Sequence, residues 1–235
     1  MSNFLKVRNR IEWGSDYLLQ GKEGFFITLE GIDGVGKTTQ AKLLAGNLKK
    51  RGFPVFLTRE PGGTVLAERI RAMLLKEEKP VPIAELLLYG AARAQHVAEL
   101  IRPALAAGKV VICERFSDST LAYQGYGLQL DLEMIKEINR IAGGGLIPGL
   151  TFLLHLETKE VWMRIRQRDP ETNGDRIEAR GNAFMEKVQH GYMKLAEAAP
   201  ERIKVIQCQG KSVQAIQELL LDGCLEKLGE GGCNR

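Results

Sequence analysis

Short apolar runs alternate with amphipathic segments along most of the chain. The runs are largely non-alternating in polarity and lie at residues 25–30, 53–58, 109–113, 151–156 and 202–207. Runs of this kind are typical of strands that are covered on both faces. Apolar residues at helical spacing fill the segments at about 37–50, 64–76, 82–107, 117–126, 131–142, 158–168, 177–198 and 211–228. The alternation predicts an α/β fold of three layers, with a five-stranded parallel sheet between helices.

Several residues predict where the helices begin and end. Thr64 follows two glycines and is a candidate N-cap, and Pro82 suits the first turn of the next helix. Pro103 is expected to kink or interrupt that long helix because it lacks a backbone N–H. The glycines at 143–145 are expected to end the helix at 131–142.

The chain is expected to form one large domain with two short ends. Its 235 residues suit a single domain, which we place at residues 24–229. Residues 1–23 form an N-terminal extension, in which Phe4, Val7 and Ile11 recur at helical spacing. A short packing helix and a helix that docks a partner both explain this pattern, and no clean apolar signal region is present. Residues 230–235 are read as a tail.

Composition narrows the classes of function. The formal net charge of +4 is too small to argue for nucleic acid as a partner. The four cysteines form no CxxC pair and only three histidines occur, so no zinc-ligand spacing is present. This cysteine usage fits a reducing cytosol, and we expect a cytoplasmic protein. No apolar run approaches the roughly 20 residues that span a bilayer, so no membrane partner is expected.

The stretch Gly31–Thr38 fits the phosphate-binding pattern G-x-x-x-x-G-K-[ST]. It follows the strand-like run 25–30 and precedes the helical segment 37–50, which is the context that this motif requires. The backbone N–H groups of such a loop and of the helix N-terminus bind a phosphate chain. Lys37 would reach the β- and γ-phosphates, and the Thr38 hydroxyl would bind Mg²⁺. The alternative is a glycine-rich turn with a chance lysine.

Polar residues follow two other predicted strands at their carboxyl ends, where ligands bind in open parallel sheets. The turn at 59–64 contains Arg59 and Glu60 before Pro-Gly-Gly, and it serves either a ligand or merely the start of a helix. Glu114 and Arg115 end the third strand, beside the predicted phosphate loop. The carboxylate is placed to hold Mg²⁺ and the guanidinium to bind phosphate. The alternative is a surface ion pair.

Two further clusters are ambiguous on their own. Five arginines flank the polar loop 169–175, namely Arg164, Arg166, Arg168, Arg176 and Arg180. They would close on a transferring phosphoryl group or would line a solvated helix face. Tyr89 and Arg93 lie four residues apart, on one helix face. They suit a flat base, or are a core tyrosine and a surface arginine.

Taken together, these motifs resemble the thymidylate kinase family, which phosphorylates dTMP to dTDP with ATP. The matching stretches run in family order at 30–40, 59–64, 93–96, 114–120, 122–125 and 175–178. The resemblance implies a P-loop NTPase fold with a small lid at about 165–177. It also implies ATP and dTMP as substrates, Mg²⁺ as cofactor, and a homodimer formed through helices within 64–142.

The resemblance also implies roles for individual residues. Catalytic roles fall on Lys37, Glu114, Arg115 and Arg168. ATP contacts fall on Gly31, Ile32, Asp33, Gly34, Val35, Gly36, Lys37, Thr38, Thr39, Arg164 and Arg176. Contacts to dTMP fall on Asp33, Glu60, Arg71, Tyr89, Arg93, Arg115, Thr120, Tyr123 and Gln124. The metal ligands that it implies are Thr38 and Glu114.

Two positions depart from the common family pattern, and a third lies where the family itself varies. Glu114 stands where most members have aspartate, and His155 replaces another common aspartate. Gly34 occupies a position that is arginine in some members, and members without that arginine have the catalytic arginine in the lid. Two other readings stay open: a different nucleoside monophosphate or deoxynucleoside kinase, and a non-catalytic nucleotide-binding protein. The absence of an N-K-x-D motif argues against a GTPase switch.

Overall fold

The carboxyl ends of parallel strands meet along one edge of a sheet in the computed structural model of this chain. The structure describes residues 24–77, 79–161, 163 and 176–229. Its strands are β1 (Phe25–Glu30), β2 (Val55–Arg59), β3 (Val110–Glu114), β4 (Leu150–His155) and β5 (Ile203–Gln207). They form one five-stranded sheet in the order β2-β3-β1-β4-β5, and every neighbouring pair is parallel. The predicted sheet is therefore confirmed.

Helices connect the strands. They are α1 (Lys37–Lys50), α2 (Val65–Ala72), α3 (Pro82–His96), α4 (Arg102–Ala106), α5 (Ser117–Thr120), α6 (Leu132–Gly143), α7 (described at 158–161 and 163), α8 (Asn182–Ala198) and α9 (Val213–Leu228). Wider π turns extend α2 at Met73–Glu77, join α3 to α4 at Val97–Ile101, and follow α5 at Leu121–Gly127. A 3₁₀ turn at Glu178–Arg180 precedes α8. No helix among the described residues is long and apolar enough to cross a membrane.

Alternate residues of the central strands feed two separate apolar clusters, as the pleat of a strand requires. Ile27 and Leu29 of β1 join a cluster with Leu44 of α1. Phe26 of the same strand joins a second cluster with Val97 and Ile101. Helical residues therefore pack on both faces of the sheet, which confirms the predicted three-layer architecture.

The predicted helix boundaries were mostly right. The Thr64 side chain accepts a hydrogen bond from Ala67 N at 3.2 Å, and Gly144 ends α6 in a left-handed conformation with φ 57°. Pro82 starts α3 as expected. The helical path continues through Pro103, and the predicted interruption takes the form of the π turn just before it. A proline ring clashes with the carbonyl four residues earlier, and a wider turn relieves that clash.

Two predicted boundaries were wrong by a few residues. The helix predicted at 177–198 is divided by Gly181, whose φ of 85° ends the 3₁₀ turn before α8 begins. The strand predicted at 53–58 begins at Val55, after Pro54. Proline cannot donate a ladder hydrogen bond, so its place is before the strand.

Candidate active site

The loop between β1 and α1 has the geometry of a phosphate cradle. Gly36 precedes α1 with φ 103°, and Gly31 leaves β1 with φ 134°. A Cβ at Gly31 would lie 2.5 Å from the Leu154 carbonyl oxygen, so only glycine fits. The first N–H groups of α1 therefore open onto this loop, where a helix N-terminus attracts anions.

Lys37 is folded back under the loop. Its side chain is 3% exposed, and Nζ donates to the Ile32 carbonyl oxygen at 2.9 Å. Burial and the nearby Arg115 charge lower the pKa of Lys37 to about 8. A buried ammonium group in this position gains strongly from an anionic partner, which the phosphates of a nucleotide supply.

Thr38 and Glu114 meet beside the loop although they are far apart in sequence. The Thr38 hydroxyl donates to Glu114 Oε2 at 2.8 Å. A hydroxyl and a carboxylate side by side are hard oxygen ligands of the type that Mg²⁺ takes in addition to substrate phosphates. The longer glutamate side chain at position 114 therefore reaches the Thr38 hydroxyl, and the metal-binding role of the pair stays a prediction.

Asp33 connects the phosphate loop to the end of β3. Its Oδ1 lies 3.7 Å from Lys37 Nζ and 2.7 Å from Arg115 Nη2. Tyr123 donates from its hydroxyl to Asp33 Oδ2 at 3.2 Å. Burial opposes ionisation of Asp33, but the charges of Arg115 and Lys37 outweigh it and hold its pKa well below the usual value. Asp33 is therefore an anion that two cations share.

Arg115 is held in an uncommon backbone conformation. Its φ is 68°, in the left-handed region that residues other than glycine rarely adopt. Its N–H donates to the Leu29 carbonyl oxygen at 2.9 Å. Nη2 donates to the Tyr123 hydroxyl at 3.0 Å, and Nη1 donates to Ser119 and Tyr192 at 3.1 Å each. Backbone strain of this kind concentrates at functional sites.

Glu30, the last residue of β1, lies behind Arg115. Its carboxylate accepts hydrogen bonds from the Phe116 N–H at 2.7 Å, the Ser119 hydroxyl at 2.6 Å and the Tyr192 hydroxyl at 2.9 Å. Burial, together with the nearby Asp118 charge, raises the pKa of Glu30 to about 7. Ser119 and Tyr192 contact both Glu30 and Arg115, so these groups form one network.

Arg93 lies in a second buried network. Its side chain is 2% exposed, and Nε donates to Glu60 Oε2 at 2.8 Å. Nη2 donates to the Thr120 hydroxyl at 2.9 Å, and Nη1 donates to Asn139 Oδ1. The other Glu60 oxygen lies 3.1 Å from Nδ1 of the buried His96. Arg93 is therefore a positioned interior arginine, not the surface arginine of the alternative reading.

A pocket opens between these two networks. Its empty volume is about 530 Å³, part of it open to solvent. The lining residues are Asp33, Glu60, Pro61, Arg71, Leu75, Tyr89, Arg93, Arg115, Phe116, Ser119, Thr120, Tyr123 and Ile177. The set combines the three arginines Arg71, Arg93 and Arg115 with the three aromatic side chains of Tyr89, Phe116 and Tyr123. Such a pocket suits an anionic ligand that carries a flat ring.

The pocket brings together most of the residues predicted to bind dTMP. Asp33, Glu60, Arg71, Tyr89, Arg93, Arg115, Thr120 and Tyr123 all line it. Gln124 is the exception among the described residues, because its amide donates to Glu85 at 2.8 Å. Its contact with dTMP stays a prediction.

The predicted lid falls mostly outside the described residues. Arg164, Arg166 and Arg168 are outside the described residues, so their roles in catalysis and ATP binding stay predictions. Arg176 is described, and its guanidinium binds the Glu85 carboxylate at 2.5 Å. Its predicted contact with ATP is likewise untested.

Some groups of the site were not predicted. Phe116 and Ser119 line the pocket and stand inside the polar run Glu114–Thr120 at the end of β3, so this run is the sequence signal that marks them. Glu30 directly precedes the phosphate loop. Tyr192 and Asn139 come from distant helices, and no motif marks them.

Comparisons with known proteins agree on one family. A family model described as thymidylate kinase matches residues 29–220. A thymidylate kinase of Exiguobacterium sp. (strain ATCC BAA-1283 / AT1b) is 45% identical over 214 residues, which are 90% of this chain and 99% of that protein. One of Syntrophotalea carbinolica is 51% identical over 191 residues, which are 79% of this chain and 88% of that protein. The crystal structure of thymidylate kinase from Ehrlichia chaffeensis is similar with a TM-score of 0.70 at 34% identity, covering 86% of this chain and 98% of that one.

Proposed function

The chain belongs to the thymidylate kinase family and phosphorylates dTMP to dTDP with ATP, and we propose that the pocket beside its phosphate loop is where dTMP binds. Asp33 carries this proposal, because it lies within 3.7 Å of Lys37 and 2.7 Å of Arg115. ATP bound at Lys37 and dTMP bound at Arg115 would then meet beside the Asp33 carboxylate, which contacts both cations.

Each end of the pocket suits one part of dTMP. Arg115 and Arg71 supply guanidinium groups for the acceptor phosphate, and such groups bind phosphate through two donors. Tyr89 supplies a ring for stacking on thymine, and Arg93 together with Thr120 faces the base edge. The hydroxyl of Tyr123 lies near the sugar, where it would disfavour a 2′-hydroxyl.

Thr38 and Glu114 would hold Mg²⁺ with the ATP phosphates, since their oxygens lie 2.8 Å apart beside the loop. The bound ion would neutralise part of the phosphate charge. Lys37 would stabilise the charge on the transferred group, and Arg115 would orient the acceptor phosphate for in-line attack. The attacking phosphate oxygen is already anionic, so no general base is required.

An acceptor panel tests this function directly. ADP release is followed in a coupled assay with ATP and, in turn, dTMP, dUMP, dCMP, dGMP or thymidine. We expect dTMP to give the highest kcat/KM, because Tyr89 is proposed to stack on thymine and Arg93 to recognise its edge. A higher value with another acceptor would instead identify a different nucleoside monophosphate kinase or a deoxynucleoside kinase. ATP binding without acceptor-dependent ADP release would identify a non-catalytic protein.

The Tyr89→Ala variant tests the assignment of the pocket. We expect the KM for dTMP to rise about tenfold to a hundredfold, since a base–aromatic stack contributes about 1–3 kcal/mol. The KM for ATP should change far less, because Tyr89 lines the acceptor pocket. Tyr89→Phe is the matched control and should keep the KM for dTMP close to wild type. An equal loss for both substrates would refute the stacking role.

The remaining assignments concern the setting of the enzyme. We expect a cytoplasmic homodimer without nucleic acid or membrane as a partner. Exposed apolar side chains on neighbouring helices support the dimer, namely Leu66 on α2, Ile83 and Leu87 on α3, and Ile141 on α6. A monomer in sedimentation velocity would contradict it.

A further inference from the structure

A fully buried carboxylate lies beside the acceptor pocket without lining it. Glu85 belongs to the first turn of α3 and its side chain is 0% exposed. An ionised carboxylate in the interior is costly unless cations and hydrogen-bond donors surround it. The groups around Glu85 therefore explain how its charge is stabilised in the interior.

Three side chains converge on Glu85. Arg176 donates from Nη2 to Oε2 at 2.5 Å, and Arg180 donates to the same oxygen at 2.6 Å. Arg180 also donates to Oε1 at 3.3 Å, and Gln124 donates to Oε1 at 2.8 Å. Burial opposes ionisation, but the hydrogen bonds from Arg180, Arg176 and Gln124 outweigh it and lower the pKa of Glu85. The carboxylate is thus a charged centre for groups from different parts of the chain.

Arg176 extends this centre to the wall of the pocket. Its Nε donates to the Leu74 carbonyl oxygen at 2.8 Å while its Nη2 binds Glu85. Leu75 follows Leu74 in the chain and Ile177 follows Arg176 itself, and both Leu75 and Ile177 line the pocket. One guanidinium therefore ties the π turn after α2 to α3, and each of the two pocket-lining residues is next in sequence to a residue of that tie.

Glu85 also shares a helix face with the groups that are proposed to bind the base. Tyr89 and Arg93 follow it at four-residue intervals, and residues at this spacing lie above one another on a helix. Gln124, which binds Glu85, lies four residues after the pocket-lining Thr120. The carboxylate is consequently connected to the pocket through three separate elements.

We propose that Glu85 is a positioning residue for dTMP, which holds the pocket wall of Leu75 and Ile177 in place through Arg176. The inference rests on the proposed assignment of the pocket to dTMP. Glu85 itself touches no substrate; it acts by keeping the wall against the face of α3 that carries Tyr89. Arg176 then contributes to dTMP binding, in contrast to the contact with ATP that the sequence analysis predicted for it.

The Glu85→Gln variant tests this role in steady-state kinetics of the full chain. The amide keeps the size of the side chain but removes the charge, so the two arginines lose their shared anion. We expect the KM for dTMP to rise about tenfold to a hundredfold, because a displaced wall misplaces the acceptor. The KM for ATP should stay within about threefold of wild type, and Glu85→Asp should recover part of the loss.

Two arginine variants form a matched pair. Arg176→Met removes the bridge to Leu74 but leaves Glu85 with Arg180 and Gln124 as partners, so the KM for dTMP should again rise about tenfold or more. Arg180→Met removes the same charge from the same carboxylate but keeps that bridge. The KM for dTMP should then stay within about threefold of wild type. A rise in the KM for ATP alone in Arg176→Met would overturn the inference.

Further outcomes separate positioning from simple loss of folding. If Glu85→Gln does not fold, the double variant Glu85→Gln/Arg180→Met removes one of the two uncompensated cations and should restore folding while the KM for dTMP stays raised. A lowered Tm with an unchanged KM for dTMP in the folded variants would overturn the inference.

If Tyr89→Ala raises the KM for dTMP and neither Glu85→Gln nor Arg176→Met does, the pocket assignment stands and the role of Glu85 fails. If none of the three raises it, the pocket assignment has failed.

Discussion

We expect the Lys37→Ala variant to lose dTMP kinase turnover by about 10²–10³-fold or more, as when one preorganised donor to a developing charge is removed. Lys37 is 3% exposed beneath the phosphate loop, and its ammonium group donates to the Ile32 carbonyl oxygen. Burial and the Arg115 charge lower the pKa of Lys37 to about 8, so the ammonium ion is held in this site at a cost in free energy. The negative phosphates of ATP would offset that cost. The loss should therefore appear in kcat, measured by the coupled ADP-release assay at saturating dTMP.

A second variant controls for packing at this position. Lys37→Met keeps most of the side-chain volume in its buried site while removing the charge. Its kcat should be as low as that of Lys37→Ala, and its circular dichroism spectrum and Tm should remain close to those of the wild type. Turnover near the wild-type value in either folded variant would refute the proposed mechanism.

The Arg115→Ala variant is expected to lower kcat/KM for dTMP by about 10²–10³-fold, since the guanidinium is proposed to hold the acceptor phosphate in line. The structure positions this group by contacts with Asp33, Tyr123, Ser119 and Tyr192. Because removal of Arg115 leaves Asp33 with a more distant cation, some loss of Tm is also expected. Initial rates at varied dTMP and fixed saturating ATP measure the effect.

Two variants distinguish the acceptor role of Arg115 from its structural role. Arg115→Lys keeps a charge near Asp33 but lacks the planar fork, so it should recover stability more than kcat/KM. Asp33→Asn/Arg115→Met removes both charges of the pair and should regain Tm without regaining activity. Near wild-type kcat/KM for dTMP in Arg115→Ala would contradict the role in acceptor binding.

The contacts of Asp33 depend on the fold and cannot be read from its place in the motif. In the motif it stands at a variable position between fixed glycines. In the structure it accepts from Arg115 and Tyr123 and lies 3.7 Å from Lys37. A change at Asp33 would therefore affect both the phosphate loop and the acceptor pocket.

Local sequence patterns determined the architecture and the position of the loop at Gly31–Thr38. Apolar runs of strand length and helical periodicity require only nearby residues, so the parallel sheet and the N-cap at Thr64 were predicted correctly. The phosphate loop was equally legible, because Gly31, Lys37 and Thr38 occur within one short motif. The boundaries that were wrong, at Gly181 and Val55, depend on single residues whose backbone conformation the periodicity does not encode.

The acceptor side depended on residues that the chain brings together from far apart. The resemblance to family motifs predicted roles for Tyr89, Arg93 and Arg115, but it did not predict which side chains contact and position them. Tertiary structure decided that Arg93 is buried against Glu60 and Asn139 and that Glu30 and Tyr192 support Arg115. It also decided that Glu85 binds Arg176 across 91 positions of the chain. The physical reason is that a buried charge is stabilised by partners that are close in space but can be far apart in the sequence. The spacing of residues along the chain therefore does not show which groups will meet.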